Sequence, residues 1–325
     1  MLTTVVGSYP VITGCPESIA EKIKASLGRF DPFEAALDLA VTDQVQAGID
    51  VISDGQVRGS MLEIFAQTIP GMGLDGKKPV IEGKIIPSPY SIGAADLKRA
   101  LKTAGKLSPA FRKEEGLFHD HTFRDGFKGV KGIITGPTTL ALSSLIKDFY
   151  NKENREEIII DLAWALKKEA EYLENAGAAL IQVDEPFLST GMADIKTARK
   201  ALEIIRRNLS IPIAMHVCGD LTGIWEELLQ FKVDILDCEF AGQPKNQQIL
   251  ENTELNGKKL GLGCIDSKTD EIESNKQIAQ ILEKGVEVFG EENIIADPDC
   301  GMRLRSREAA YSKLEVMVET VKWLS

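Results

Sequence analysis

Short apolar runs alternate along the chain with longer segments in which apolar residues recur at helical spacing. The run LIQV at 180–183 has the length of a buried strand, whereas 155–176 has the pattern of an amphipathic helix and is followed by Gly177, a typical helix stop. Repeated alternation of this kind is typical of βα units around a parallel sheet. The predicted strands are 3–8, 49–54, 130–135, 179–184, 211–217, 233–239, 259–265 and 293–298. The predicted helices include 155–176, 193–208, 221–231, 246–254, 272–289 and 306–324.

Eight predicted strands indicate a closed barrel. We therefore expect an α/β protein with one domain over residues 1–325, a single (βα)8 TIM barrel. The segment 66–129 is too long for one crossover and has turn signals at Pro70-Gly71 and 87–89. We expect it to form an insertion after the second strand, with a hairpin in KPVIEGKII (78–86) and a helix in ADLKRALKTA (95–104), lying over one mouth of the barrel.

Polar residues follow nearly every predicted strand at the point where the strand ends. Barrel enzymes carry their chemistry at the carboxyl ends of the strands, so this distribution predicts a functional site there. The residues are Ser8, Asp54, Thr135, Asp184, Glu185, His216, Cys218, Glu239, Asp266, Asp299 and Cys300.

Four of these residues are ligand types that zinc prefers. His216 and Cys218 are alternate residues, which share one face of a strand, and Glu239 and Cys300 follow neighbouring predicted strands. One imidazole, two thiolates and one carboxylate saturate a tetrahedral zinc, and the two sulfurs favour zinc over magnesium or calcium. The sequence therefore predicts a zinc enzyme.

Other candidate ligands have simpler interpretations. Free cysteine often behaves as a small buried hydrophobe. Cys238 faces away from Glu239 by strand alternation, and Cys264 has no paired ligand nearby, so we interpret both as packing residues. His119 and His121 are a possible second metal pair, but they lie in the irregular segment and we favour a surface or structural role.

Two adjacent carboxylates, Asp184 and Glu185, end an otherwise apolar strand. Burying two such groups without a partner is costly. A loop-capping role is one interpretation, and a ligand amine as the partner is the one we favour.

Composition and charge restrict the partners. The net charge of −11 and the pI near 5.0 argue against nucleic-acid or anionic-membrane surfaces, which need clustered Lys and Arg. Five cysteines in so long a chain do not form a disulfide framework, and neither a signal peptide nor a run of membrane-spanning length is recognisable. We therefore expect a cytoplasmic protein that acts on small molecules or binds a protein partner.

Several sequence blocks, in order, resemble one family, the cobalamin-independent methionine synthases, and specifically their C-terminal catalytic barrel. Seven blocks in the right order are far more specific than a single motif. They are VGSYP at 6–10, ISDGQ with MLEIF at 52–65, KGIITGP at 131–137, IQVDEP at 181–186, HVC at 216–218, DCE at 237–239 and DPDCGMR at 297–303.

The resemblance implies transfer of a methyl group to the zinc-bound thiolate of L-homocysteine, which gives L-methionine. It also implies that homocysteine is bound through Ser8 and Asp184. In this family, zinc is held by a His-x-Cys pair, a glutamate and a distal cysteine. The matching residues here are His216, Cys218, Glu239 and Cys300.

This chain departs from the family pattern at three points. A typical member is about twice as long, with an N-terminal barrel that helps to bind the folate donor. Gln56 stands where an acidic residue is expected in the amino-group pocket, and Glu63 is the nearby candidate to replace its charge. Lys268 aligns with the family's proton-donating histidine. These departures resemble the short archaeal-type form, for which a methylated corrinoid protein is the implied donor.

Two other functions remain open from the sequence. One is a zinc-dependent methylcobamide:coenzyme M-type thiol methyltransferase of the uroporphyrinogen decarboxylase superfamily, which also uses a His-x-Cys pair and a distal cysteine. Such an enzyme would need basic residues where Asp184 stands, because its thiol carries a sulfonate and no ammonium group. The other is a non-catalytic barrel that presents a corrinoid protein, and such a scaffold has no need of a zinc-thiolate site.

Overall fold

The computed structural model describes residues 1–111, 127–251 and 253–324. Its strands are β1 (Leu2–Thr3), β2 (Val51–Ile52), β3 (Met72–Asp75), β4 (Lys78–Ile81), β5 (Gly129–Val130), β6 (Gly132–Thr135), β7 (Leu145–Ile146), β8 (Ile181–Asp184), β9 (Ile213–Val217), β10 (Ile235–Cys238), β11 (Lys259–Ile265) and β12 (Ile294–Pro298). Its helices are α1 (Ile19–Ser26), α2 (Phe33–Ala47), α3 (Met61–Ala66), α4 (Ala94–Leu107), α5 (Pro137–Ser143), α6 (Glu156–Ala176), α7 (Ile195–Arg206), α8 (Trp225–Leu228), α9 (Asn275–Phe289) and α10 (Arg307–Leu324).

A curled, parallel sheet of seven strands organises the fold. Its strand order is β1-β12-β11-β10-β9-β8-β6, and helices follow most of its strands along the chain. The predicted α/β class with a parallel sheet is therefore confirmed. The predicted second strand is the exception, because β2 pairs with β5 in a separate parallel pair.

Lys131 marks the point where the neighbouring strand changes. Its backbone N–H donates to Ile52 O at 2.9 Å, whereas the next N–H, that of Gly132, donates to Leu180 O at 2.9 Å. A parallel bridge between Thr4 and Val51 also links the segment after β1 to β2. The β2–β5 pair thus contacts both ends of the seven-stranded sheet.

Local sequence signals explain several helix boundaries. The predicted stop after α6 is present, since Gly177 adopts the left-handed conformation with φ 106°. Ser274 begins α9 with a capping box that includes Gln277. The predicted helix at 221–231 is reduced to α8, and the one at 246–254 is a 3-10 segment, Pro244–Glu251. Within the described ranges, no helix combines the length and apolar character needed to cross a lipid bilayer.

The region between β2 and β5 differs from the expected insertion. A hairpin is present, but it joins β3 to β4 through Gly76 and Lys77, earlier than the predicted 78–86. The predicted helix at 95–104 is α4, and it packs beside α2 and α6 in the outer helical layer instead of over a barrel mouth. Its buried face explains this position, because Leu97, Ala100 and Ala104 belong to the main core. His119 and His121 lie outside the described residues.

Alternate strand residues form layers on the inner face of the curl. Near the amino ends of the strands the layer is apolar and includes Leu180, Ala214, Ile235 and Ile295, which form a small cluster of their own. Two residues further along these strands, polar side chains begin on the same face. The opposite faces pack against the helices in a much larger core. This layering directs the polar residues towards the carboxyl end of the sheet.

Candidate metal centre

Three of the predicted ligands converge at the carboxyl edge of the sheet. His216 lies on β9, Cys218 follows that strand, and Cys300 lies two residues beyond β12. One ligand atom from each residue lies within 4.8 Å of the other two. An imidazole nitrogen and two sulfurs at this separation are a donor set that suits zinc.

A carboxylate on the neighbouring strand orients His216. The β9–β10 register places Asp237 opposite His216, and Asp237 Oδ1 lies 3.2 Å from the imidazole Nδ1. Because a carboxylate only accepts hydrogen bonds, Nδ1 carries a hydrogen, and Nε2 is the nitrogen that can bind a metal once it has lost its proton. The buried Nε2 has no hydrogen-bond partner among the described residues. This is the environment expected of a metal-binding nitrogen.

Protons are held tightly in this cluster. Burial alone opposes a charged imidazole, but the Asp237 carboxylate outweighs it and raises the pKa of His216 well above its ordinary value. A hydrogen bond with Cys218, followed by burial, raises the pKa of Cys300. Histidine and cysteine bind metals in their deprotonated forms, so a metal cation at this position would displace these protons.

The fourth predicted ligand, Glu239, lies at the same carboxyl edge of the sheet but outside the three-residue cluster. Its Oε1 atom forms an ion pair with Lys268 Nζ, and its Oε2 atom accepts a hydrogen bond from Gly219 N at 2.9 Å. The Glu239 side chain is buried, whereas 58% of the Lys268 side chain is exposed. Sequence reasoning located Glu239 correctly at its strand end but did not identify these partners.

Two buried side chains fix the loop that carries Glu239. Asp299 accepts hydrogen bonds from three consecutive backbone N–H groups, those of Phe240 at 2.8 Å, Ala241 at 3.0 Å and Gly242 at 2.5 Å. Burial raises the pKa of the Asp299 carboxyl to about 7. The Asn246 amide donates to the backbone oxygen atoms of Glu239, at 2.7 Å, and Gly219, at 2.8 Å. The loops after β9, β10 and β12 are therefore joined beside the centre.

Asp184 and Ser8, the predicted substrate contacts, lie on either side of the centre. Asp184 ends β8 opposite His216 in the strand register, and its Oδ1 atom accepts a hydrogen bond from Gln182 at 2.7 Å. Burial raises the pKa of Asp184 to about 6. The Ser8 hydroxyl lies against Gly301, beside Cys300, and the Ser8 backbone oxygen accepts a hydrogen bond from Met302 N at 2.8 Å.

The two other predicted pocket residues have different surroundings. Gln56 has a positive φ of 44°, and its side-chain amide lies against Gly7, next to Ser8. Its backbone oxygen accepts a hydrogen bond from the Arg303 guanidinium. Glu63 is engaged in the capping box of α3, where its carboxylate accepts a hydrogen bond from Ser60 N at 3.0 Å. Gln56 thus lies near the predicted pocket, whereas Glu63 caps a helix.

The carboxylate next to Asp184 has a structural partner. Glu185 accepts hydrogen bonds from Thr138 N at 2.9 Å and Thr139 N at 2.8 Å, the first free N–H groups of α5. The ligand amine that was favoured as a partner for both carboxylates is therefore not needed for Glu185. Cys238 and Cys264 are buried and lie outside the metal-ligand cluster, in agreement with packing roles.

A second layer of buried polar residues lies beneath the centre and was not predicted from the sequence. Lys131 Nζ donates to Gln182 Oε1 at 2.6 Å, and the Asp237 carboxylate faces the buried Asp297 carboxyl. Burial and the Asp237 charge raise the pKa of Asp297 well above its ordinary value. The sequence could have indicated this layer. Three of these residues stand two positions before a carboxylate at a strand end, and residues two apart lie on the same face of a strand. The pairs are Gln182 with Asp184, Asp237 with Glu239, and Asp297 with Asp299.

Fold and site together define an α/β protein with a histidine- and cysteine-rich centre at the carboxyl ends of parallel strands. The family model described as Cobalamin-independent synthase, Catalytic domain, matches residues 1–322. The methionine synthase of Methanothermobacter marburgensis is 47% identical over 98% of both chains, and that of Methanocaldococcus jannaschii is 43% identical over 99% of both. This chain therefore belongs to the cobalamin-independent methionine synthase family.

Two solved structures of other proteins have a fold similar to that of this chain. A B12-independent methionine synthase from a Shewanella species, in complex with selenomethionine, superposes with a TM-score of 0.78 at 23% identity, over 99% of this chain and 97% of that one. A putative vitamin-B12 independent methionine synthase from Listeria monocytogenes gives a TM-score of 0.71 at 18% identity, over 100% and 99% of the two chains. At these identities the likeness concerns the fold.

Proposed function

We propose that this protein is an enzyme that methylates the thiol of L-homocysteine and forms L-methionine. The cluster of His216, Cys218 and Cys300 beside the buried Asp184 carries this proposal, because it combines a metal site for a thiol with an anion for an ammonium group. Membership of the family and the archaeal relatives named methionine synthase support the same reaction.

The proposed framework is a closed (βα)8 barrel over residues 1–325. In this proposal β5 and β6 are one strand interrupted at Lys131, and β2 lies between that strand and β1. The parallel bridge between Thr4 and Val51 supports closure of the ring. A barrel of this kind directs the carboxyl ends of all eight strands to one mouth.

The residues of the centre fit zinc. His216, Cys218 and Cys300 would hold the metal, with Glu239 as the predicted fourth ligand, and the unpartnered Nε2 of His216 supports this assignment. When bound, zinc would keep the thiol of the substrate deprotonated at neutral pH, where a free thiol is mostly protonated.

The chain's own groups position the amino acid. Asp184 is proposed to accept hydrogen bonds from the ammonium group, and Ser8 to contact the carboxylate, so that the thiol is directed towards the Cys300 side of the mouth. Fixing both ends of a small substrate converts an encounter of two molecules into a positioned reaction. Gln56, beside Ser8, is the proposed neutral member of the amino-acid pocket.

We propose a methylated corrinoid, bound to a protein, as the methyl donor. Methyl transfer from folate N5 needs a proton on that nitrogen, whereas a methyl group on cobalt leaves a cobalt(I) species that needs no proton. The hydrogen bond with Glu239 raises the pKa of Lys268, which makes this residue a weaker acid than an isolated lysine. This environment argues against Lys268 as a replacement for the family's proton donor.

A coenzyme M-type thiol methyltransferase is not favoured. A sulfonate would be repelled by the Asp184 carboxylate, and the curated relatives above bear the name methionine synthase. A scaffold without catalysis would not require the His216, Cys218 and Cys300 cluster.

Metal analysis combined with a methyl-transfer assay tests the proposed function. Wild-type protein, Cys218→Ser and the exposed-cysteine control Cys15→Ser would be assayed with methylcobalamin and with methyltetrahydrofolate triglutamate, each with homocysteine or coenzyme M. We expect methionine from methylcobalamin, loss of zinc and activity in Cys218→Ser, and neither loss in the control. Faster methylation of coenzyme M would refute the acceptor, and turnover of the folate alone would refute the donor.

A further inference from the structure

Two consecutive residues of the loop after β12 hold the two residues predicted to line the amino-acid pocket. The backbone N–H of Met302 donates to the backbone oxygen of Ser8 at 2.8 Å. The guanidinium of the next residue, Arg303, donates to the backbone oxygen of Gln56. Both donors closely follow Cys300 in the chain. One short segment therefore connects a predicted zinc ligand to both sides of the predicted pocket.

Arg303 joins loops that lie on either side of β1. Its Nη2 atom donates to the backbone oxygen of Gln56 and, at 2.6 Å, to that of Gly59, both in the loop after β2. The strand β1 pairs with β12, and the bridge between Thr4 and Val51 links the segment after β1 to β2. Hydrogen bonds from a charged donor are stronger than those between neutral groups, so this contact fixes the backbone of the loop after β2.

Gln56 has a fixed backbone and an unengaged side chain. Its φ of 44° lies in the left-handed region, which costs free energy for a residue other than glycine. Two contacts hold this conformation, because the Gln56 N–H donates to Asp54 Oδ1 at 2.9 Å and its backbone oxygen accepts from Arg303. The side-chain amide lies against Gly7, next to Ser8, and has no hydrogen-bond partner among the described residues. The amide is therefore available to a ligand.

We propose that Arg303 is a positioning residue for the amino-acid substrate, and that it holds Gln56 in the left-handed conformation that presents the amide beside Ser8. The inference rests on the proposed methylation of homocysteine. An amide can donate to the carboxylate of an amino acid or accept from its ammonium group, so it suits the charged end of this substrate. Without the guanidinium, the strained peptide at Gln56 would relax and carry the amide away from Ser8.

Calorimetric titration of the zinc-loaded protein with homocysteine tests the inference without a methyl donor. It would compare the wild type with Arg303→Met, Arg303→Lys, Gln56→Ala and the double variant Gln56→Ala with Arg303→Met. A second titration uses 2-mercaptoethanol, which has a thiol but no ammonium or carboxylate group. Arg305→Met is the matched control, because Arg305 belongs to the same loop and pairs with Asp270 at 3.2 Å. Zinc content and thermal unfolding check each variant.

We expect Arg303→Met to weaken homocysteine binding about 3- to 10-fold, the effect of one lost hydrogen bond to the ligand. Its zinc content and its affinity for 2-mercaptoethanol should equal those of the wild type. Gln56→Ala should weaken homocysteine binding to a similar extent, and the double variant should be no weaker than Gln56→Ala alone, because Arg303 acts through the Gln56 amide. Arg303→Lys keeps a charged N–H donor and should lose less, and Arg305→Met should lose nothing.

Several results would overturn the inference. They are unchanged homocysteine affinity in Arg303→Met, multiplied losses in the double variant, and equal weakening of both thiols or loss of zinc, which would mean that Arg303 supports the metal centre instead. If Arg303→Met does not fold, wild-type affinity in Gln56→Ala refutes the inference. Failure of the proposed function is distinguishable, because a wild-type protein that binds 2-mercaptoethanol as tightly as homocysteine would refute the amino-acid pocket itself.

Discussion

The contact between Asp237 and His216 gives the most selective test of the metal centre. Asp237→Asn keeps the shape of the side chain but removes the negative charge that faces Nδ1 at 3.2 Å. A hydrogen bond to a charged group contributes about 1.5–3 kcal/mol, and about 1.4 kcal/mol corresponds to tenfold in a binding constant. We therefore expect zinc binding to weaken by roughly 10- to 100-fold, which is also the range for carboxylates that support metal-binding histidines.

The stability of the metal-free protein should respond differently. In the metal-free protein the Asp237 carboxylate raises the pKa of the buried His216 imidazole and also faces the buried Asp297 carboxyl. Asp237→Asn removes the counter-ion of the buried His216 imidazolium, so the metal-free variant should be less stable than the wild type at neutral pH, and the difference should shrink as the pH rises through the raised pKa of His216. A loss of stability that shrinks with rising pH distinguishes removal of the His216 partner from general damage to the core.

Chelator competition and thermal unfolding of the metal-free protein measure the two effects. Asp234→Asn is the matched control, because Asp234 lies at the amino end of the same strand and pairs with Arg206 at 2.5 Å, far from the centre. Its zinc affinity should equal that of the wild type. A folded Asp237→Asn protein that binds zinc within about twofold of the wild type would refute the role given to Asp237.

Three further predictions concern other parts of the fold. Asp184→Asn should weaken homocysteine binding in calorimetry by about 1.5–3 kcal/mol with zinc retained; loss of zinc instead would contradict a substrate-binding role. Burial raises the pKa of Asp54 to about 6, so its contribution to stability is present below pH 4 and is lost as the pH rises through 6; urea unfolding of metal-free Asp54→Asn should lack this pH dependence. Gly136→Ala places a Cβ against the Glu185 carboxylate and should cost about 1–3 kcal/mol in urea unfolding, whereas Gly223→Ala, which has open space around it and no positive φ, should show no comparable loss.

The sequence predicted the sheet and the location of the centre well, for one physical reason. A buried parallel strand needs a continuous apolar run, and the residue where that run stops is the one that reaches the carboxyl edge. His216 and Cys218 follow from this rule, and β9, β11 and β12 lie within one or two residues of their predicted bounds. The blocks shared with the family supplied the assignment of Ser8 and Asp184.

The partners of the carboxylates could not be predicted from the sequence. Glu239 and Glu185 occupy equivalent strand ends, yet one pairs with Lys268 from a distant loop and the other caps α5. These contacts depend on the positions of loops, which strand periodicity does not specify. The hairpin was misplaced for a similar reason, because its turn at Gly76 needs a left-handed residue, and Gly76 and Gly83 satisfy that requirement equally well in the sequence.

The inner polar layer explains how the mouth can hold so much negative charge. Lys131 brings a buried cation beneath the centre, where its charge lowers the free energy of the ionised Asp184 and Asp237 carboxyls. The Asp237 carboxylate in turn contacts Nδ1 of His216, and the Nε2 atom on the other side of the ring is the one available to a cation. Thiolates at Cys218 and Cys300 would add two further negative charges at this edge of the sheet. The ion pair between Lys268 and Glu239 compensates one of the negative charges beside them. The methyl-accepting thiolate of the proposed reaction would be tolerated there because the layers below and beside it already compensate the neighbouring carboxylates.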